Sequence, residues 1–176
     1  MGYLLKIRLP ADRTKLGQLK ILNTLTGMAI FGPIQCYGKA DQQAASGNGN
    51  PMRDSRMQYG DTPLGGYDVT GTLGPDLANY GQFARLVLVG RTGDAMIRQA
   101  VTQDIRIHGG PVGLGPALLR PTNGCVRVLD SDMQSLLKSV NDNGIAFPFQ
   151  LEIEEGNDFP IVDGGPDEGY EDPAGG

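Results

Sequence analysis

The spacing of apolar and polar side chains along the chain predicts short strands rather than long helices. Ile105 and Ile107 alternate with Arg106 and His108, which is the period-two pattern of a half-buried strand, and a glycine pair ends it. Further strands are predicted at 3–9, 17–23, 28–38, 67–71 and 83–90. Residues 24–27, between the second and third strands, predict a hairpin turn. The chain is therefore predicted to be mainly β.

One stretch shows a clear helical period. Its apolar side chains recur at helical spacing, at Met133, Leu136, Leu137 and Val140. Ser131 is the predicted N-cap, and Asp132 suits the first turn. We therefore predict one principal α-helix here, a shorter helical segment at 95–101 and a long polar loop at 39–60. Two more strands are predicted after the principal helix, with Pro148 near a sheet edge.

Composition and charge divide the chain into two parts. The 176 residues include 27 glycines and 12 prolines, which agrees with short strands joined by turns. The net charge is −5, yet the segment 156–176 alone holds six acidic residues and no basic ones. We predict one folded domain at 1–155 and a disordered acidic tail at 156–176. The nearly neutral body argues against nucleic-acid binding, and no apolar run reaches the length that membrane insertion needs.

Cys125 is the candidate nucleophile, because it lies in a polar turn instead of an apolar run. A thiol needs a base to form thiolate at neutral pH, and His108 is the only histidine of the chain. The Gly- and Pro-rich segment between them can loop out and bring the two together. Backbone N–H groups at Gly124 and Cys125 would form an oxyanion hole. The alternatives are an inert thiol and a histidine with a purely structural role.

Two further questions concern the cysteines. Cys36 lies in a predicted strand, where simple packing is the expected role. A disulfide between Cys36 and Cys125 stays open at this point, and it would block thiol chemistry. One histidine with two distant cysteines makes a poor zinc site, so we predict no metal and no other cofactor.

The residues around the thiol resemble a known catalytic signature. His108–Gly109, followed at a distance by Thr122–Arg127 with the sequence Thr-Asn-Gly-Cys-Val-Arg, resembles the signature of the L,D-transpeptidases, the YkuD-type domain family. Upstream, Thr62, Pro63, Gly65 and Tyr67 match a second family stretch. The resemblance covers roughly residues 17–155. Asn123 departs from it, because many members have His at that position.

This resemblance implies a fold and a set of site residues. The implied fold for residues 1–155 is an L,D-transpeptidase-like β-sandwich with one principal α-helix after the catalytic cysteine. Cys125 would be the acylated nucleophile, His108 the base and later the acid, and Gly124 part of the oxyanion hole. The resemblance gives supporting roles to Thr122, Asn123, Gly109 and Arg127. Thr122 would orient its neighbours by hydrogen bonding, and Arg127 would support the site or meet a substrate carboxylate.

The implied substrate is a peptidoglycan stem tetrapeptide. Cys125 would attack the carbonyl before the terminal D-alanine, release that residue and hold the rest as a thioester. A second stem peptide would then give a 3-3 cross-link, a free D-amino acid would give exchange, and water would give carboxypeptidase activity. The implied partners are therefore peptidoglycan stem peptides, and the implied place of action is the periplasm or cell wall.

Several alternatives stay open at the level of sequence. Residues 1–15 do not predict a signal peptide, because Lys6 and Arg8 interrupt a short apolar stretch. One hypothesis is a leaderless antibacterial effector delivered by a specialised secretion system, with an immunity protein or a secretion-machine component as a partner. The others are a housekeeping envelope enzyme with its signal removed, a non-catalytic peptidoglycan-binding module, and an unrelated cysteine peptidase.

Overall fold

Eight strands and three α-helices make up the described part of the chain, which confirms a mainly β fold. The computed structural model describes residues 2–157 and residue 159. The strands are β1 (Tyr3–Leu9), β2 (Gly17–Asn23), β3 (Ala29–Cys36), β4 (Gly65–Leu73), β5 (Arg85–Gly90), β6 (Arg106–His108), β7 (Val126–Arg127) and β8 (Phe149–Glu155). The helices are α1 (Gln42–Gly47), α2 (Gly93–Val101) and α3 (Asp130–Asp142), and a single 3-10 turn lies at Pro116–Leu118.

All eight strands belong to one sheet, in the order β3-β2-β1-β8-β4-β5-β6-β7. The pairs β1–β8 and β6–β7 are parallel, and the other neighbours are antiparallel. The finer expectation of a β-sandwich is not confirmed, because the strands form a single sheet. The C-terminal strand β8 lies in the middle and joins the β3-β2-β1 half to the β4-β5-β6-β7 half.

The two ends of this sheet are linked to each other. Tyr37, directly after β3, forms an antiparallel bridge with Arg127 of β7, through N···O distances of 2.9 and 3.0 Å. A second bridge joins Ala40 to Thr122. The sheet is therefore nearly closed, and β7 has a neighbour on each side although it is only two residues long.

The core follows from the alternation along the strands. In β1, Leu5, Ile7 and Leu9 are buried while Lys6 and Arg8 face outward. The neighbouring strands β2 and β8 contribute their own alternate apolar side chains to the same core. Burial of this kind stabilises a protein by about 1.5–3 kcal/mol for each large aliphatic side chain.

The principal helix lies where the sequence predicts it, with one correction. Met133, Leu136 and Val140 are buried in the core. However, α3 begins at Asp130, and the capping position is Leu129, which provides no side-chain hydrogen bond. Ser131 is therefore not the N-cap. It lies inside the first turn, because Asp130 already occupies the start of the helix.

Three other expectations differ from the structure. The loop 39–60 contains the short helix α1, which Asp41 caps by accepting a hydrogen bond from the Ala44 N–H at 2.7 Å. The described chain has one strand after α3, not two. Pro148 directly precedes β8, so it takes no position in the ladder, and the strand can lie in the interior of the sheet.

The beginning of the acidic segment packs against the sheet. The Phe159 N–H donates to Gln18 Oε1 at 3.0 Å, and the Phe159 ring lies 4.2 Å from Lys20 Nζ and 5.4 Å from the Arg8 guanidinium carbon. The rest of the predicted disordered tail, Asp158 and residues 160–176, lies outside the described residues.

Candidate active site

A cleft of about 270 Å³ opens beside the paired strands β6 and β7. Five side chains that the sequence analysis singled out line it: His108, Thr122, Asn123, Cys125 and Arg127. The other lining residues are Asp41, Asn79, Tyr80, Asp104, Arg106 and Pro121. Gly109 and Gly124, also singled out, lie in the backbone next to this cleft.

Strand register explains why these side chains share one face. Ile107 pairs with Val126, and His108 with Arg127, in parallel register. Ile107 and Val126 have no exposed surface and point into the core. Because side chains alternate along a strand, His108 and Arg127 point to the other face, as do residues 106 and 125. All four of these outward residues line the cleft.

The turn at 122–125 is held by hydroxyl groups. Thr122 Oγ1 donates to the Cys125 carbonyl at 2.8 Å and accepts from the Gly124 N–H at 3.1 Å. Thr62 Oγ1 lies 3.2 Å from the same Cys125 carbonyl, so part of the upstream stretch 62–67 also supports the turn. Gly124 has φ +123°, and a Cβ there would lie 2.7 Å from Arg98 Nη2. Only glycine fits this position without strain.

The Cys125 thiol is nearly buried, with 8% of the residue exposed. Its Sγ donates to the Asp104 carbonyl at 3.2 Å. Burial is the main cause that raises the pKa of Cys125 to about 11; a backbone hydrogen bond from Arg106 opposes the rise, and the Asp104 carboxylate contributes to it. The resting group is therefore a protonated thiol at neutral pH, and a base must remove its proton.

The His108 ring is 1% exposed and oriented by its own backbone. Nδ1 lies 2.5 Å from the Gly109 carbonyl, which requires the proton on Nδ1 and leaves Nε2 free to accept one. Burial is the main cause that lowers the pKa of His108 to about 4; the hydrogen bond to the Gly109 carbonyl opposes this, and the cations Arg127, Arg85 and Arg106 contribute to it. The ring is thus neutral at pH 7. Among the described residues, no hydrogen bond joins it to Cys125 Sγ.

Arg127 is the most buried cation on the cleft wall, with 7% exposure. Its Nη1 reaches the Pro111 carbonyl only at 3.5 Å, and within the described chain its Nε has no hydrogen-bond partner. Burial lowers the pKa of Arg127, followed by the nearby Arg120. A guanidinium on the wall of a cleft can bind an anionic group there.

The two cysteines are both free thiols. Cys36 has no exposed surface, lies at the end of β3 and belongs to the core cluster. Burial raises the pKa of its thiol well above the ordinary value. A disulfide therefore does not block Cys125 in this structure.

Comparison with known proteins was made by sequence and by structure. No protein-family model matches the chain, and no curated protein matches it. The structure of Bdellovibrio bacteriovorus Bd1075 aligns with a TM-score of 0.54 at 15% identity, over 86% of this chain and 47% of that one. The helical cell shape determining protein Pgp2 from Campylobacter jejuni aligns with a TM-score of 0.51 at 14% identity, over 89% of this chain and 49% of Pgp2.

The fold is shared. A mutant of Pgp2 gives the same result, with a TM-score of 0.52 at 14% identity. This chain spans about half the length of Bd1075 and of Pgp2. At such low identity the similarity concerns the fold alone, so the chemistry of the cleft has to be argued from its own residues.

Six lining residues were not singled out by sequence analysis: Asp41, Asn79, Tyr80, Asp104, Arg106 and Pro121. The period-two pattern of β6 could have identified Arg106, because it alternates with the buried Ile107 on the same face as His108. Tyr80 comes from the loop between β4 and β5, and its ring meets the His108 ring edge-on at 4.8 Å. No local sequence pattern predicts that this loop contacts His108.

The described residues contain neither a metal-binding cluster nor a membrane-spanning helix. Within residues 2–157 and 159, no group of three or more His, Cys, Asp or Glu side chains could hold a metal ion. No helix of the described chain has both the length and the apolar character needed to cross a membrane.

Proposed function

We propose that the cleft is the active site of a cysteine-dependent L,D-transpeptidase or L,D-carboxypeptidase that acts on peptidoglycan stem peptides. One observation carries this proposal: the β6–β7 register places a thiol and a neutral imidazole on the wall of the same cleft. The Cys-His pair is the minimal machinery for acyl transfer through a thioester.

The first half-reaction uses His108 as a general base. Nε2 accepts the thiol proton as Cys125 Sγ attacks the carbonyl carbon of the L,D peptide bond. The tetrahedral intermediate then collapses, the C–N bond breaks, and His108 returns the proton to the departing D-alanine amine. The product is a thioester between Cys125 and the shortened stem peptide.

The second half-reaction frees the enzyme. An amine of another stem peptide, a D-amino acid or water attacks the thioester carbonyl, gives its proton to His108, and releases the Cys125 sulfur, which regains a proton. Arg127 is the residue to bind a carboxylate of the substrate, because its guanidinium is a cation on the cleft wall. No step needs a metal or an organic cofactor.

The structural similarity supports a wall substrate in general terms. Pgp2 is described as determining helical cell shape. Bacterial shape is maintained by the peptidoglycan wall, so a protein of the same fold with a Cys-His cleft is reasonably assigned a wall peptide as substrate.

The experiment is incubation with tetrapeptide muropeptides, followed by mass spectrometry. Wild type should release D-alanine and form a tripeptide, an exchange product or a cross-link, and a transient acyl adduct should map to Cys125. Cys125→Ala should abolish every product. Cys36→Ala is the matched control, because it removes the other thiol, and it should retain activity. If wild type releases no D-alanine and forms no adduct on Cys125, the proposal is overturned.

A second candidate is a peptidoglycan-binding module without turnover. The geometry of the cleft favours this candidate in one respect, because the Cys125 thiol donates its hydrogen bond to the Asp104 carbonyl and not to His108. The same experiment separates the two, because a binding module would retain muropeptides and leave their mass unchanged.

A further inference from the structure

A buried arginine lies directly behind the turn that carries Cys125. Arg98, on α2, has no exposed surface. Taking a guanidinium out of water costs several kcal/mol unless its donors are satisfied. A buried guanidinium therefore needs hydrogen-bond acceptors, and the acceptors of Arg98 indicate its role.

Arg98 contacts two backbone carbonyls from different segments. Nη1 donates to the Ser55 carbonyl at 3.1 Å, and Nη2 donates to the Asn123 carbonyl at 2.8 Å. Nη2 also fills the space beside Gly124 that a Cβ would need. The guanidinium thus holds the Asn123–Gly124 peptide group in place, one residue before the nucleophile.

Asp104 also contacts this turn. Its backbone carbonyl accepts the Cys125 thiol at 3.2 Å, and its Oδ2 lies 3.5 Å from Arg98 Nη2. Asp104 lines the cleft, and Arg98 does not. The two charged residues therefore contact the Asn123–Gly124–Cys125 segment and also each other.

This pair contributes little to stability on its own. In the described chain, Arg98 Nε and Asp104 Oδ1 are buried without hydrogen-bond partners. An ion pair with orphaned atoms recovers only part of its desolvation cost. The most direct consequence of the Arg98–Asp104 pair is that it fixes the position of the turn that carries Cys125.

We propose that Arg98 and Asp104 are positioning residues that fix the nucleophile turn and orient the Cys125 thiol. This inference deepens the proposed function and rests on it for its catalytic meaning. Arg98 touches neither the cleft nor the substrate, so its loss should affect the chemical step and leave substrate binding intact.

The test uses the full-length chain in a Cys36→Ala background, so that Cys125 is the only thiol. Arg98→Lys keeps the positive charge but loses the forked donors. We expect kcat on tetrapeptide muropeptides to fall about 10- to 100-fold, while KM changes by less than about twofold. The matched control is Arg91→Lys, because Arg91 is also paired with an aspartate, Asp68, but is exposed and outside the cleft. It should behave as wild type.

A second readout needs no substrate. The rate of Cys125 alkylation by iodoacetamide is measured against pH, because only the thiolate reacts. In wild type the rate should rise toward pH 11, in line with the raised pKa of the thiol. Arg98→Lys should move the midpoint down by at least about half a pH unit, because a loosened turn exposes the thiol to water.

Asp104→Asn is the second variant, and it decides the test if Arg98→Lys does not fold. Removing a carboxylate beside the thiol should also lower the alkylation midpoint. Combining both substitutions should shift the midpoint no further than the larger single change, because the two residues act on the same turn. Folded variants with wild-type midpoints and wild-type kcat would overturn the proposal.

The two proposals fail in distinguishable ways. A wild-type protein that is inactive on muropeptides, with midpoints that shift in the variants, refutes the proposed function and keeps the positioning role. An active wild type with unchanged variants keeps the function and refutes the positioning role.

Discussion

His108 and Cys125 share a cleft as two uncharged groups. Burial lowers the pKa of the imidazole and raises that of the thiol, so the proton rests on sulfur at neutral pH. This differs from a preformed thiolate–imidazolium pair, in which the charges are already separated. The buried site therefore favours proton transfer during attack, when substrate has replaced the water in the cleft.

The neutral histidine predicts an unusually acidic limb in the pH profile. In the proposed mechanism neutral His108 is the base, and its pKa of about 4 means that kcat/KM should fall only as the pH drops through about 4. The measurement is kcat/KM on a tetrapeptide from pH 3.5 to 8. Arg85→Gln removes one of the cations that lower this pKa, so its limb should move to higher pH. A wild-type limb near 6.5 would contradict this account.

Gly124 predicts a stability effect at a single residue. Gly124→Ala places a Cβ against Arg98 Nη2, the Ile105 side chain and the Gly60 carbonyl, at a φ of +123°. We expect the free energy of unfolding to fall by at least about 2 kcal/mol, measured by urea denaturation. Gly74→Ala is the control, because nothing lies within 4 Å of that Cβ. Equal effects of the two substitutions would refute the argument.

At the level of elements, the start of α3 organises the loops around His108. Asp130 Oδ1 accepts a hydrogen bond from the Gly110 N–H at 3.0 Å. A Cβ at Gly81 or Gly109 would lie 2.1 or 2.0 Å from the same oxygen. The carboxylate therefore sits in a space that two glycines leave open, and its hydrogen bond ties the segment after β6 to the helix.

This arrangement predicts a local loss of protection when the carboxylate is removed. Asp130→Ala should speed hydrogen exchange at the Gly110 amide about fivefold, because a hydrogen bond of this kind contributes about 1 kcal/mol. NMR-detected exchange measures it. Asp132→Ala, in the same helical turn, is the control and should leave Gly110 unchanged. Similar exchange rates in the two variants would show that the carboxylate does not anchor the loop.

The strands and helices differ in how much of them the sequence could predict. Local periodicity predicts β6 and α3, because each depends on its own alternation or helical repeat. It does not predict α1, whose short polar sequence resembles a loop. Nor does it predict Arg98 as a buried residue, since an arginine on an amphipathic helix is expected to face water.

The candidate site depends on information that local patterns lack. His108 and the turn around Cys125 stand out in the sequence because of their residue types. Their common face follows from the parallel register of β6 and β7, and register is set by the whole sheet. Tyr80 reaches the site from a separate loop, so only the tertiary structure places it beside His108.

For the molecule as a whole, the buried histidine couples folding to pH. The pKa of His108 is about 4 in the folded chain and 6.5 when unperturbed. Between these values the unfolded chain binds the proton and the folded chain does not, so the free energy of unfolding falls as the pH drops from about 6.5 to about 4. The loss is at most about 3 kcal/mol.

Urea denaturation at pH 7, 5.5 and 4.5 measures this loss. Subtracting the values for His108→Asn cancels the contribution of the carboxylates, which both proteins share. The free energy of unfolding of wild type, relative to that of His108→Asn, should fall as the pH drops from 7 to 4.5. A difference that is constant with pH would refute the coupling.

The position of β8 has a consequence for when the site comes into existence. During synthesis the chain emerges from its N-terminus, and β8 follows every other strand of the sheet. Until β8 inserts between β1 and β4, no strand joins the two halves of the sheet at their inner edges. The Tyr37–Arg127 bridge between their outer ends then lacks the complete sheet that supports it. The thiol is therefore synthesised before the sheet that carries its cleft is complete. A chain that stops before residue 149 would carry Cys125 without the strand that joins the two halves of the sheet around its cleft.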